Sequence, residues 1–129
     1  MLKNLGYYGT YHDENISVSV LLENPLRCGI EPSKLAFSVT VKDKRNNAKP
    51  FGFQDCTFYI MDEQNRLYNT EKIFGVPPTI ESTAVEEETT RRPDGLITAD
   101  FMPEFLFQDL RIVFYCKPCG QFCVIELKF

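Results

Sequence analysis

Apolar residues recur at every second position in segment after segment of this chain, and a repeat of two belongs to β-strands, not to helices. Ile16, Val18, Val20 and Leu22 are separated by Ser17, Ser19 and Leu21, and Leu35, Phe37, Val39 and Val41 by Ala36, Ser38, Thr40 and Lys42. The same spacing predicts strands over 56–61, 66–70, 96–102, 110–116 and 122–128. Between them lie turn formers: Asn24-Pro25, Glu31-Pro32-Ser33, a polar stretch ending in Pro50-Phe51-Gly52, and Pro103, which cannot donate to a central ladder. Asp62-Glu63-Gln64-Asn65 is a four-residue turn, so the third and fourth strands form a hairpin. The expected fold is all-β: an immunoglobulin-like antiparallel β-sandwich of about seven strands, with a small barrel as the alternative.

At 129 residues the chain has the size of one domain, and we expect a single sandwich over 1–129. From Glu71 to Gly95 the alternation stops, and Pro77-Pro78, Glu86-Glu87-Glu88 and Arg91-Arg92-Pro93 define a long irregular loop, 71–95, with a solvated charged face. The aromatic content agrees with a sheet protein. Eleven Phe and six Tyr with no Trp suit a pleated surface.

Fourteen basic residues against eighteen acidic ones leave a net charge of −4, and no segment gathers Lys and Arg into a stripe. Phosphate binding needs clustered cations, so nucleic acid is excluded as a partner. The apolar runs are too short for a membrane span. Met1 to Gly6 lacks the apolar stretch of a signal peptide, so the chain as written is expected in the cytoplasm, and outside it only if a leader was removed. Five cysteines, an odd number, fit thiols in a reducing compartment better than a complete disulfide framework. The sequon Asn15-Ile16-Ser17 would matter only after export.

The segments Ala36 to Lys42, Phe58 to Tyr68, Asp94 to Phe101 and Leu110 to Tyr115 together resemble the telokin-like, immunoglobulin-type sandwich domains of bacterial exported proteins. In those domains a hairpin running from Asp through a turn to Tyr precedes a Gly-led strand and a final strand pair. The resemblance covers about the last hundred residues and implies a non-enzymatic, extracytoplasmic domain.

Three cysteines fall within eight residues, from Cys116 through Cys119 to Cys123. A redox couple of the thioredoxin kind needs a helix N-terminus to activate its thiolate, and here a strand follows Gly120 instead. In a sandwich the turn after the sixth strand lies at the same end as the start of the third, which brings Cys56 beside the trio and leaves Cys28 at the opposite end. Cys56, Cys116, Cys119 and Cys123 are therefore a candidate four-thiolate zinc site. The same strand phases turn Cys56, Cys116 and Cys123 toward the core, where they would serve as small hydrophobes or pair as a disulfide. Asp62, Glu63 and Asn65 could ligate calcium, but a polar hairpin turn requires the same residues. His12, the only histidine, has no nucleophile motif beside it, and no phosphate-loop, dinucleotide, hydrolase or metalloprotease motif occurs.

These readings converge on a non-catalytic interaction or assembly module, not an enzyme, with no cofactor unless the cysteines hold zinc. A protein partner or a second copy of the chain is the expected ligand. Its contact surfaces are sought in the loop from Glu71 to Gly95 and in Phe105 and Phe107, which would form an apolar patch if exposed. The rival reading is a small zinc-stabilised protein.

Overall fold

In the computed structural model, residues 7–46, 50–74, 93–100, 110–118 and 120–128 are described, and every structural statement here concerns them. The alternating segments form strands: β1 (Tyr8–His12), β2 (Ile16–Glu23), β3 (Lys34–Asp43), β4 (Cys56–Met61), β5 (Leu67–Asn69), β6 (Glu71–Phe74), β7 (Gly95–Asp100), β8 (Arg111–Cys116) and β9 (Gln121–Glu126). Short 3-10 turns, Pro25–Cys28 and Phe53–Asp55, precede β3 and β4. Asn24 starts the first by accepting from the Leu26 backbone N–H at 3.0 Å, and Gly29, at φ 75°, ends it.

The strands make two wholly antiparallel sheets, ordered β1-β2-β3-β7-β6 and β5-β4-β8-β9. An all-β sandwich is thus what the alternation produces. Val18, Val20, Phe37, Val39 and Ile97 of the larger sheet and Phe58, Ile60, Ile112, Phe114 and Ile125 of the smaller one are almost fully buried in one core. Each such side chain stabilises the fold by about 1.5–3 kcal/mol. A one-residue slip of register would turn all of them outward, so the repeat fixes the pairing as well as the strand.

The two sheets are tied to each other at both lateral sides. On one side the chain itself crosses from β5 to β6 at Thr70, whose hydroxyl donates to the Phe58 carbonyl at 2.7 Å. On the other, Tyr8 at the start of β1 bridges to Lys128 beyond β9, with N–H···O bonds of 2.9 and 2.7 Å in the two directions. This seam demands a glycine. A Cβ on Gly9 would lie 2.5 Å from the Glu126 carbonyl oxygen and 2.6 Å from the Ile125 side chain.

The structure corrects the expected strand count from about seven to nine among the described residues. β1 escaped because Tyr8-Gly9-Thr10-Tyr11-His12 has no apolar alternation: its inward positions are a glycine and a half-buried tyrosine. β6 lies inside the segment read as the irregular loop 71–95, which is therefore wrong for Glu71–Phe74. Only Lys72 in this strand is even half-buried, so the burial period that marks other strands is missing. Residues 75–92, the rest of that loop before Pro93, lie outside the described residues. So do 101–109, where the fifth predicted strand was to end.

The outward face of the larger sheet also departs from simple alternation. Leu21, Ala36, Ser38, Leu96 and Thr98 point away from the core, as their cross-strand register requires, yet all are buried. Glu23 shares this face and accepts from the Ser38 hydroxyl at 2.9 Å. Among the described residues no helix is long and apolar enough to cross a membrane.

Candidate functional site

Chemistry-bearing side chains collect at the end of the sandwich where β3 finishes and β4 begins. Cys56 and Cys116 are directly opposite each other on β4 and β8, and Cys123 of β9 pairs with Phe114, two residues along the same inward face. All three are buried, and none forms a disulfide. Cys28 is buried at the other end, in the 3-10 turn after β2. Burial pushes the Cys28 thiol up to about 11 and raises that of Cys123 as well. Neither is an activated nucleophile. The predicted adjacency of Cys56 to Cys116 is therefore present, while Cys123 lies at the same end of the sandwich one strand further along the sheet. Cys119, the fourth member of the candidate zinc set, lies outside the described residues, and among those described no three His, Cys, Asp or Glu side chains are grouped to hold a metal ion.

A polar network borders Cys123. The Tyr11 hydroxyl donates to Asp13 Oδ2 at 2.7 Å, and Gln121 Nε2 donates to the same oxygen at 2.7 Å. Asp13 Oδ1 accepts from the backbone N–H groups of Asn15 and Ile16 at 2.7 and 3.0 Å, tying off the β1–β2 hairpin. With donors on both oxygens, led by the Gln121 amide, the Asp13 carboxyl is held far below the ordinary carboxylate range, and the Tyr11 hydroxyl is held up by Asp13. This network is a structural lock. Both of its titratable groups are driven away from neutrality, the opposite of what acid–base catalysis needs.

Above the thiols opens a groove of about 510 Å³, floored by Phe51, Gly52 and Phe53 and walled by Lys42, Asp43, Asp94 and Phe74. The Cys56 thiol lies beneath this floor, 3.7 Å from the Gly52 carbonyl oxygen to which it donates. Phe53 and Phe74 meet edge to face, with centroids 5.5 Å apart. Their approach depends on Gly95, where a Cβ would lie 2.6 Å from the Phe53 ring and 2.6 Å from the Ile73 carbonyl oxygen. Lys72 Nζ sits 5.4 Å from the Phe53 ring centre and 5.9 Å from that of Phe74, while donating to the Phe53 and Gln54 carbonyls at 3.2 Å each. Arg45 covers the Phe51 ring at 4.7 Å.

The two carboxylates of the groove hold the fold together. Asp94 accepts from the Val41 N–H at 2.7 Å, and Asp43 accepts from the Phe51 N–H at 3.2 Å and from Arg45 Nε at 3.1 Å. The Arg45 side chain, first, keeps the Asp43 carboxyl below its usual range. His12 is exposed on the outward face of β1, away from the groove. Among the described residues, what remains open to a ligand in the groove is the Phe74 ring, 62% exposed, and the exposed Lys42 side chain.

Asp62, Glu63 and Asn65 act as the hairpin turn. Asp62 is buried and accepts from the Gln64 and Arg66 N–H groups, from Arg66 Nε and from the Tyr68 hydroxyl, each at 2.9 Å. Asn65 takes the left-handed conformation, φ 67°. Phe105 and Phe107 lie outside the described residues. The groove was missed in sequence because Phe51, Phe53 and Phe74 stand in segments without period, where an aromatic residue carries no phase. Two aromatics flanking a glycine, Phe51-Gly52-Phe53, were the available signal.

No family model matches this chain, and no curated protein or solved structure matches it either. Fold and site together define an all-β, two-sheet sandwich with an aromatic groove and a layer of buried thiols at one end.

Proposed function

We propose that this protein is a non-catalytic interaction or assembly module, and that its ligand is an extended apolar segment of a protein partner, received at the groove beside β6. The observation that carries the reading is the exposed Phe74, set against a groove whose two carboxylates, Asp43 and Asp94, are already engaged. An apolar wall without a poised acid, base or nucleophile favours binding over turnover. β6 is the last strand of its sheet, so an extended segment could follow the edge while a side chain enters between Phe74 and the groove floor. The strand order supports an immunoglobulin-type connectivity. β2-β3-β7-β6 and β5-β4-β8-β9 follow the order of strands A, B, E, D and C′, C, F, G, with β1 as an addition.

The test places a photoreactive benzoylphenylalanine at Phe74 and, as a control, at the exposed Thr10. A single protein adduct from position 74 is expected, with none from position 10. A synthetic peptide spanning the crosslinked segment should bind the unmodified protein and lose about tenfold or more in affinity to Phe74→Ala. That substitution should change stability by less than about 1 kcal/mol, since the ring is mostly in water. Equal labelling from both positions, or a peptide indifferent to Phe74→Ala, would remove the groove from consideration.

The zinc reading is supported by the adjacency of Cys56 and Cys116. It requires about one zinc per chain, released by a thiol reagent, in protein purified without chelator.

A further inference from the structure

The register of β4 and β8 makes Cys56 and Cys116 more than neighbours. Along an antiparallel strand, alternate residues present their N–H and C=O to the same side. The Asp62 N–H donates to the Arg66 carbonyl across the β4–β5 turn at 3.1 Å, and the Phe58 carbonyl accepts from Thr70. The even-numbered residues of β4 therefore direct their backbone groups toward β5 and away from β8. Cys56 conforms, since its own N–H turns back to the Phe53 carbonyl. On the other strand, the Cys116 carbonyl accepts from the Gly120 N–H at 2.8 Å and so faces β9. Cys56 and Cys116 are thus a non-hydrogen-bonded cross-strand pair, the kind whose Cα atoms stand about 4.5 Å apart with their side chains closest. That separation falls inside the window a disulfide spans, about 4.4–6.8 Å, at its short end. Cys123 is the diagonal neighbour of Cys116, about 7–8 Å between Cα atoms, and is too far.

We propose that Cys56 and Cys116 are a redox-modification site, closing to a cross-strand disulfide when the protein meets a small-molecule disulfide such as oxidised glutathione. One thiolate attacks the glutathione disulfide, forms a mixed disulfide and releases one glutathione thiolate. The second protein thiolate then attacks the protein sulfur of that mixed disulfide and releases the other. The protein loses two electrons and two protons, and oxidised glutathione gains them as two molecules of glutathione.

Although both thiols are buried, Cys56 is the first residue of its strand, next to the exposed Thr57, and Cys116 the last, next to the exposed Lys117. Reaction with the small disulfide proceeds through local opening at this end of the sandwich. Closure also removes the thiol hydrogen that Cys56 shares with the Gly52 carbonyl in the groove floor, which couples the redox state to the groove. Pairing of the two thiols does not depend on what the groove binds.

The test titrates the full chain with mixtures of reduced and oxidised glutathione and reads the intact mass and the linked peptides. The expected product has lost two hydrogens, joins the peptides containing Cys56 and Cys116, and returns to the thiol form with dithiothreitol. Cys28→Ala should behave as the unsubstituted protein, and Cys56→Ala should lose the link. The oxidised form should melt higher, by on the order of 10 °C at most. If Cys56→Ala does not fold, the peptide map of the Cys28→Ala protein decides alone. A link from Cys116 to Cys119 or Cys123, no link at any ratio, or a zinc ion found on the thiols would overturn the proposal.

Discussion

Glu23 and Asp62 are both acidic side chains withdrawn from water, and their surroundings treat them in opposite ways. Burial pushes the Asp62 carboxyl up, but the backbone N–H of Arg66, the Tyr68 hydroxyl, the Arg66 side chain and the Gln64 N–H outweigh it and bring the group down to about 2. Its folded value is below its unfolded one, so its contribution to stability is complete above the ordinary carboxylate range and is lost as the pH falls toward 2. Glu23 has the Ser38 hydroxyl as its near donor, and there burial prevails and raises the carboxyl. The sign reverses. Below the unfolded value both states are protonated and nothing is lost, whereas at neutral pH ionisation favours the unfolded chain. Glu23→Gln keeps an acceptor for Ser38 and carries no charge. It should raise the melting temperature at pH 7 by a few degrees and leave it nearly unchanged near pH 3. Parallel melting curves across that range check this, and an equal gain at both pH values would mean that ionisation is not the cause.

Among the elements, β1 and β6 explain what the sequence could and could not disclose. The seven segments with a clean period of two all became strands, because each has one face on a common core and packing enforces the repeat. β6 is an edge strand with three exposed residues out of four, and β1 packs through Gly9, so neither shows that signature. Registers were legible for the same reason that strands were. Cys56, Cys116 and Cys123 share the phase of Phe58, Phe114 and Ile125, which turns them to the core, and the antiparallel order of a sandwich brings them to one end. The aromatic groove was not legible, since its walls come from a 3-10 turn and an edge strand far apart in sequence. Gly9→Ala tests the importance of β1 directly. The added methyl has no room, so the β1–β9 seam should part, with a loss of about 1–3 kcal/mol. Amide exchange should accelerate across Tyr8–His12 and at Lys128 while the β4–β8 ladder keeps its protection; unchanged exchange at Lys128 would show that the seam tolerates the methyl.

At the scale of the whole molecule, one column of rings runs through the sandwich. Phe74 touches Phe53, Phe53 touches Phe58, Phe58 touches Phe114 and Phe114 touches Tyr11, with centroid separations of 5.5, 5.7, 6.0 and 5.8 Å. The column links the exposed wall of the groove to the Tyr11–Asp13–Gln121 lock on the far side, so groove and lock rest on a single close-packed core. The Tyr8–Lys128 bridge sets how that core meets a mechanical load. The bridged residues are antiparallel neighbours, so tension drawn outward through them concentrates on that one pair of hydrogen bonds. Strands loaded in this way peel like a zipper and do not shear as a block. In optical tweezers, with handles attached at Tyr7 and Lys128, β1 should therefore leave in a separate early step at low force, before the sandwich opens. A single high-force rupture would show that the seam bears load in shear.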